Sequence, residues 1–141
     1  MLTEAGGRPI AATIAAANVH DSQVLQDTLE AVVIDPPDPR RHKQHLCLDK
    51  GYDNPTGEAA ALVFGYVPHI RRIGEEKLDQ RGKKKHPARR WVSERCLSWW
   101  NGCRSILVRW AKKSSNYLGF IQLDSALLWY RRIKLRNTVL G

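Results

Sequence analysis

Two short apolar runs on either side of a helix-forming stretch constrain the fold of this chain most strongly. The runs are Gln44–Leu48 and Tyr66–Ile70, and both have the ordinary length of a β-strand. Between them, Asn54 followed by Pro55 is typical of a helix start, and the helical pattern continues to about Phe64. The sequence therefore predicts a strand–helix–strand unit within a layered α/β or α+β domain.

The spacing of apolar residues extends this unit in both directions. The Gly6-Gly7 pair predicts a turn between two strands near the start of the chain. Helical spacing predicts three further helices, the first capped by Asp21 or Ser22. These additional elements are strands over Leu2–Ala5 and Pro9–Ala17 and helices over Ser22–Val33, Trp91–Trp110 and Asn116–Arg132. We expect one domain over residues 1–141, with a basic loop at 71–90 and C-terminal helices at 91–132.

The longest predicted helix carries a continuous apolar stripe. Its apolar positions are separated alternately by four and three residues, which places them on one helical face. They are Val92, Cys96, Trp99, Cys103, Ile106 and Trp110. We expect this face to lie in the core, together with Trp129 of the last helix.

The distribution of charge favours a polyanionic partner. The chain has a formal net charge of +9. Residues 71–113 hold 14 Lys and Arg against 4 Asp and Glu, whereas residues 1–70 are net acidic. A concentrated basic block of this kind binds nucleic acid by releasing counterions from phosphates. A solvated basic surface without a partner is the alternative that composition leaves open.

Composition also indicates the cellular compartment in which the protein is expected. No apolar run approaches the roughly 18 residues that a membrane-spanning helix needs. The first residues, Met1–Glu4, lack the basic and apolar regions of a signal peptide. Three cysteines without paired spacing favour a reducing environment. The sequence therefore predicts a soluble, cytoplasmic protein.

Two acidic residues stand where functional side chains are expected. Asp49 directly follows the strand Gln44–Leu48, and functional residues commonly lie at the carboxyl ends of strands in α/β sheets. Glu94 lies off the apolar stripe, on a polar face shared with Ser98 and Asn101. Each acid also has an ordinary structural explanation, Asp49 as a turn residue and Glu94 as an acid favoured by the helix dipole.

Other signatures of catalysis or metal binding are missing from the sequence. The five histidines form no i, i+4 ligand pair on a clear helix, and the cysteines have no CxxC spacing. The chain has no phosphate-binding glycine loop and no G-x-S-x-G motif. The two acids and the basic block are therefore the features that carry chemistry.

Five segments, considered together, point to a family. They are Ala17–Ser22, Leu48–Asp53, Val67–Arg72, Arg90–Arg95 with Ser98, Trp99 and Arg104 after it, and Asn116–Arg132. In this order they resemble the catalytic domain of bacterial insertion-sequence transposases of the DDE type, over nearly the whole chain. The resemblance implies an RNase H-like α/β fold, in which helices flank a mixed sheet.

The resemblance also implies DNA transposition. In the family, three carboxylates hold two divalent ions, usually Mg²⁺ and otherwise Mn²⁺, which clamp the attacking and leaving oxygens of a phosphoryl displacement. Water first cuts at the transposon end, and the freed 3′-hydroxyl then attacks target DNA. By position in the matching segments, Asp49 and Glu94 are catalytic residues and metal ligands. Contacts with DNA are implied for Lys50, Arg71, Arg72, Arg90, Arg95 and Arg104.

The sequence departs from the family pattern at its start. In the family the first acid lies on a strand before the segment that matches Leu2–Ala5, and Glu4, Asp21 and Asp53 do not match that position. We therefore expect an N-terminally truncated domain, either half of a frameshifted pair or a relic, that is inactive without a partner from an upstream frame. The alternatives are a non-catalytic DNA-binding or regulatory protein derived from a transposase, and a domain with no DNA partner.

Overall fold

A computed structural model describes residues 1–20, 23–70 and 90–139 as a mixed α/β fold. Asp21, Ser22 and the predicted basic loop, which includes Arg71 and Arg72, lie outside the described residues. The described elements are β1 (Leu2–Thr3), β2 (Pro9–Ala11), α1 (Leu25–Glu30), β3 (Gln44–Leu48), α2 (Pro55–Val63), β4 (Tyr66–Ile70), α3 (Arg90–Asn101), α4 (Arg104–Leu107) and α5 (Ser114–Val139). A 3₁₀ turn over Lys50–Tyr52 follows β3.

The described strands form two separate two-stranded sheets rather than one mixed sheet. Strands β1 and β2 are antiparallel, and β3 and β4 are parallel. The register of the parallel pair runs from Gln44 opposite Tyr66 to Leu48 opposite Ile70. The predicted bounds of β3 and β4 are confirmed, and α2 begins at Pro55 behind the N-cap residue Asn54 as predicted.

One face of the parallel sheet packs against α1 and α2. Leu25 and Leu29 of α1 meet Leu46 of β3 and Ala61 of α2 in a buried cluster. The other face of β3 carries the exposed side chains of His45 and Cys47, because side chains alternate along a strand. This cluster holds the end of β3, and therefore Asp49, against the two helices.

A second buried cluster joins the C-terminal helices to one another. It contains Cys96 and Trp100 of α3, Ile106 of α4 and Ile121 of α5. Ala12 and Ile14, just after β2, pack against its margin. The segment that follows the N-terminal hairpin is thereby attached to the C-terminal half of the chain.

An ion pair closes the turn of the N-terminal hairpin. The Arg8 Nε atom and the Arg8 backbone N–H both donate to Glu4 Oε1, at 2.9 and 3.0 Å. Partial burial alone would raise the pKa of Glu4. The hydrogen bonds from Arg8 and from the Gly6 N–H, together with the charge of Arg8, outweigh burial and lower this pKa from 4.5 to about 2.

The closed hairpin contacts both long C-terminal helices. The Arg8 guanidinium lies 4.4 Å from the ring centroid of Trp129 on α5, and Trp129 Nε1 donates to the Pro9 carbonyl at 2.7 Å. On the other side, Gly7 has a φ of +88°, and a Cβ there would lie 3.1 Å from the Val92 carbonyl oxygen of α3. Glycine at position 7 therefore permits both the turn and the close approach of α3.

A cleft of about 340 Å³ separates the two sheets. Consecutive residues line it on both sides, Leu2–Ala5 from the hairpin and Gln44–Leu46 from β3. The loop after α1, including Val32 and Ile34, and Trp129 of α5 also line this cleft.

Several predicted elements are shorter or differently divided. The helix predicted over Ser22–Val33 is observed only over Leu25–Glu30, and the run Val32–Ile34 before Pro36 does not extend it. The helix predicted over Trp91–Trp110 is two helices, since α3 ends at Asn101 and α4 covers Arg104–Leu107. The second hairpin strand ends at Ala11 instead of Ala17. The last helix is longer than predicted.

No helix in residues 1–20, 23–70 or 90–139 has both the length and the apolarity needed to cross a membrane.

The contact at Gly7 predicts a stability difference between two glycine substitutions. Gly7→Ala should lower the free energy of unfolding by about 1–3 kcal/mol, because it adds a Cβ at positive φ against the α3 backbone. Gly119→Ala is the matched control, since its Cβ meets nothing within 4 Å on α5, and it should raise stability by about 0.5–1 kcal/mol. Chemical denaturation measures both. Equal effects would contradict the close packing of the hairpin on α3.

The lowered pKa of Glu4 predicts a specific dependence of stability on acid. The ion pair should make its full contribution to the free energy of unfolding above pH 4.5. It should lose this contribution as the pH falls toward about 2, because the carboxylate is then protonated. Glu4→Gln should lower the free energy of unfolding at pH 7 by about 1–2 kcal/mol. The free energy of unfolding of this variant should also decrease less as the pH falls. Denaturation at several pH values, with Glu30→Gln as an exposed control, tests this expectation. The expectation would be contradicted if the free energy of unfolding of Glu4→Gln decreased with falling pH as steeply as that of the parent.

Candidate active site

Asp49 caps the 3₁₀ turn that follows β3. Its extended backbone ends the strand, and its Oδ1 atom accepts a hydrogen bond from the Lys50 N–H at 2.7 Å. The Tyr52 N–H donates to the Asp49 carbonyl at 3.0 Å and closes the turn. The side chain is exposed, so the carboxylate stands at the carboxyl end of a parallel strand with access to solvent.

The turn that holds Asp49 is supported from α2. Asn54 Oδ1 accepts from the Gly57 N–H at 2.8 Å, and Asn54 Nδ2 donates to the Gly51 carbonyl at 3.3 Å. A Cβ at Gly57 would lie 2.6 Å from the Tyr52 carbonyl oxygen, so only glycine lets α2 approach the turn this closely. The position of the Asp49 backbone is therefore fixed by its own turn and by the helix behind it.

A second matching segment lies beside the same turn. A Cβ built on Gly51 would lie 4.0 Å from the His20 Cε1 atom. The residues that end with His20 are thus neighbours of the Asp49 turn, although 28 positions separate His20 from Asp49 in the chain. Two segments that carry the family resemblance therefore meet in the structure.

Glu94 is exposed on α3, on the side away from the buried residues Val92 and Cys96. Its neighbour Arg95 lies against the hairpin, where Arg95 Nη1 donates to the Gly6 carbonyl at 3.5 Å. The same guanidinium is 4.7 Å from the ring centroid of Trp91. The position of Glu94 therefore depends on the packing of α3 against the hairpin.

The two acids are held by different elements, Asp49 by the turn after β3 and Glu94 by α3. Carboxylate oxygens are the ligands that Mg²⁺ and Mn²⁺ prefer, so the donor chemistry of both residues fits these ions. Across the described ranges, no three His, Cys, Asp or Glu side chains come together in a group that could hold a metal. The donor type therefore agrees with a divalent metal, whereas the sequence matches only two of the three carboxylates that hold the ions in the family.

Only some of the predicted DNA contacts can be located. Lys50, next to Asp49, and Arg95, next to Glu94, are exposed, as is Arg104 at the start of α4. Arg71, Arg72 and the side chain of Arg90 lie outside the described part of the structure. Three of the six predicted cations therefore have side chains that solvent, and a polyanion, can reach.

The cysteines expected in the core are shielded from solvent. Cys96 is fully buried, and desolvation raises the pKa of its thiol to about 11. Cys103 is half-buried, and desolvation together with its contact to Asp124 raises its pKa. A raised pKa disfavours the thiolate, which is the nucleophilic and metal-binding form of cysteine.

At two residues, Trp110 and Glu4, the structure differs from what the sequence predicted or adds to it. Trp110, predicted to lie in the core, is 82% exposed, because α4 ends at Leu107 and Trp110 lies in the segment after it. Glu4, which matches no acid of the family pattern, forms the ion pair with Arg8. The spacing of four residues around the Gly6-Gly7 turn was the signal for that pair.

The fold and the site define a mixed α/β domain with one acid at the end of a parallel strand and another on a C-terminal helix. A family model described as the transposase DDE domain matches residues 1–129. A curated protein of Burkholderia cepacia, "Putative transposase for insertion sequence element IS402", is 26% identical over an alignment of 140 residues that covers 95% of this chain and 63% of that protein. No solved structure matches the chain.

The family match covers most of the chain, and the chain therefore belongs to the DDE transposase domain family. It spans less than two thirds of the length of the Burkholderia cepacia relative.

The cap formed by Asp49 predicts that its structural and chemical roles can be separated. Asp49→Asn keeps an oxygen that accepts from the Lys50 N–H, so its free energy of unfolding should stay within about 0.5 kcal/mol of the parent. Asp49→Ala removes the acceptor and should cost about 1 kcal/mol. Chemical denaturation of both variants is the measurement. A loss in Asp49→Asn as large as in Asp49→Ala would show that the fold needs the charge itself.

Proposed function

We propose that the protein acts in DNA transposition, as a metal-dependent catalytic domain with an RNase H-like fold. In this proposal Asp49 and Glu94 are metal ligands, and Mg²⁺ or Mn²⁺ is the ion. The bound ions supply the positive charge that activates the attacking oxygen and stabilises the leaving oxygen of a phosphodiester. The observation that carries the proposal is the family match over residues 1–129, which includes both acids.

The surroundings of the two acids support these roles. Asp49 is exposed at the carboxyl end of β3, on a turn supported by α2, so its carboxylate can meet a ligand without unfolding local structure. Glu94 is exposed on a helix whose opposite face is buried. Lys50 and Arg95 lie next to the two acids in the chain and offer positive charge to the phosphates beside a scissile bond.

A strand-cleavage assay tests this function. The substrate is DNA with the terminal sequences of the mobile element, and Mn²⁺ is the added ion. We expect no cleavage by residues 1–141 alone, because two carboxylates cannot hold both ions. Cleavage should appear when the part of the Burkholderia cepacia relative that this chain does not cover is added, and Asp49→Asn should abolish it.

Two results would contradict the proposal in different ways. Cleavage by residues 1–141 alone, lost in Asp49→Asn, would show that no third carboxylate is needed. The metal site would be contradicted if no DNA is cleaved with or without the added part of the relative, and if Mn²⁺ broadens no nuclear magnetic resonance signals near Asp49 and Glu94. Asp38→Asn is a suitable control, since Asp38 is an exposed acid in the loop before β3.

A further inference from the structure

The loop between α4 and α5 presents an aromatic side chain to solvent. We call residues Val108–Lys113 the Trp110 loop. Trp110 is 82% exposed, whereas Trp100 is 6% exposed and Trp91 is partly covered by the Arg95 guanidinium. Tryptophan is strongly buried on average in folded proteins, and Leu107 and Val108 just before this indole are exposed as well. Exposed apolar side chains that lie close together can form a binding surface.

The ends of the Trp110 loop are fixed to the fold. The Tyr117 hydroxyl of α5 donates to the Ile106 carbonyl at 2.8 Å, and Ile106 is buried in the cluster of C-terminal helices. The Tyr117 N–H donates to the Lys113 carbonyl at 3.2 Å. Inside the loop, Arg109 Nε donates to the Ala111 carbonyl at 3.3 Å. Trp110 is therefore presented by an anchored loop.

Positively charged residues flank Trp110 in the chain. Arg109, Lys112 and Lys113 are exposed, and residues 96–123 contain no Asp or Glu. Lysines near an exposed aromatic ring are the combination with which proteins bind the backbone and bases of single-stranded nucleic acid. The charge of the Trp110 loop is thus complementary to a phosphate backbone.

We propose that Trp110 stacks on an unpaired base of DNA while Lys112 and Lys113 contact the flanking phosphates. A base inside a duplex has both faces covered by its neighbours, whereas an unpaired base offers a face that an indole ring can cover. The choice of DNA as the polyanion rests on the proposed function. The stacking itself requires neither Asp49 nor Glu94, so it can be tested without metal.

Binding to single-stranded and duplex DNA tests this surface. Fluorescence anisotropy compares a labelled oligonucleotide with its duplex at one salt concentration, without divalent metal. Trp110→Ala should weaken single-strand binding about 10-fold and leave duplex binding within about twofold, and Trp110→Phe should restore most of the loss. Lys112→Ala should weaken both forms alike, because a phosphate contact does not distinguish them.

A fluorescent base gives a second readout. An oligonucleotide with 2-aminopurine at one unpaired position should lose fluorescence on binding the parent protein and keep it on binding Trp110→Ala. Leu107→Ala is the matched control, since Leu107 is a 60% exposed apolar neighbour that offers no ring to stack. Thermal unfolding confirms that both variants stay folded, as expected for exposed side chains.

Each failure identifies a different error. If the parent protein binds neither DNA form, both the proposed function and this inference are wrong. If it binds DNA and Trp110→Ala binds single strands equally well, only the stacking inference is wrong. If Trp110→Ala and Leu107→Ala both reduce self-association while DNA binding is unchanged, the surface is a protein contact, and the inference is also overturned.

Discussion

The ion pair between Glu4 and Arg8 is the interaction on which the arrangement of the chain depends. A hairpin built from strands of two and three residues has little stability alone. The ion pair closes its turn, and the guanidinium that neutralises Glu4 also covers the ring of Trp129. One side chain thus fixes the hairpin internally and attaches it to α5, 121 positions further along the chain.

This attachment has consequences for the candidate active site. Glu94 lies on α3, and α3 packs against the hairpin through the backbone of Gly7. Asp49 instead belongs to the unit of β3, α2 and β4, which has its own buried cluster around Leu46. Leu2 of the hairpin packs against that cluster as well, so the hairpin contacts both the part of the domain that holds Asp49 and the helix that holds Glu94.

The sequence predicted the elements whose signals are local and was wrong where distant packing decides. The strands at Gln44–Leu48 and Tyr66–Ile70 and the helix start at Asn54 are confirmed, because apolar runs and cap residues act over a few positions. The stripe keeps Ile106 in the core but fails at Trp110, because the predicted helix is broken at Gly102 and its second part ends at Leu107. For the site, resemblance selected Asp49 and Glu94, but periodicity contains no information on how a strand end and a remote helix approach each other.

The fold accounts for an oxygen at position 49 more readily than for a charge. The Lys50 N–H needs only an acceptor, and an asparagine carbonyl would serve as a cap equally well. Asp49 Oδ2 takes no part in this hydrogen bond, and Asp49 is exposed at the end of a strand. Coordination of a hard cation uses a negative oxygen that an amide cannot offer with the same strength. A carboxylate at this position is therefore better explained by the proposed chemistry than by the stability of the turn.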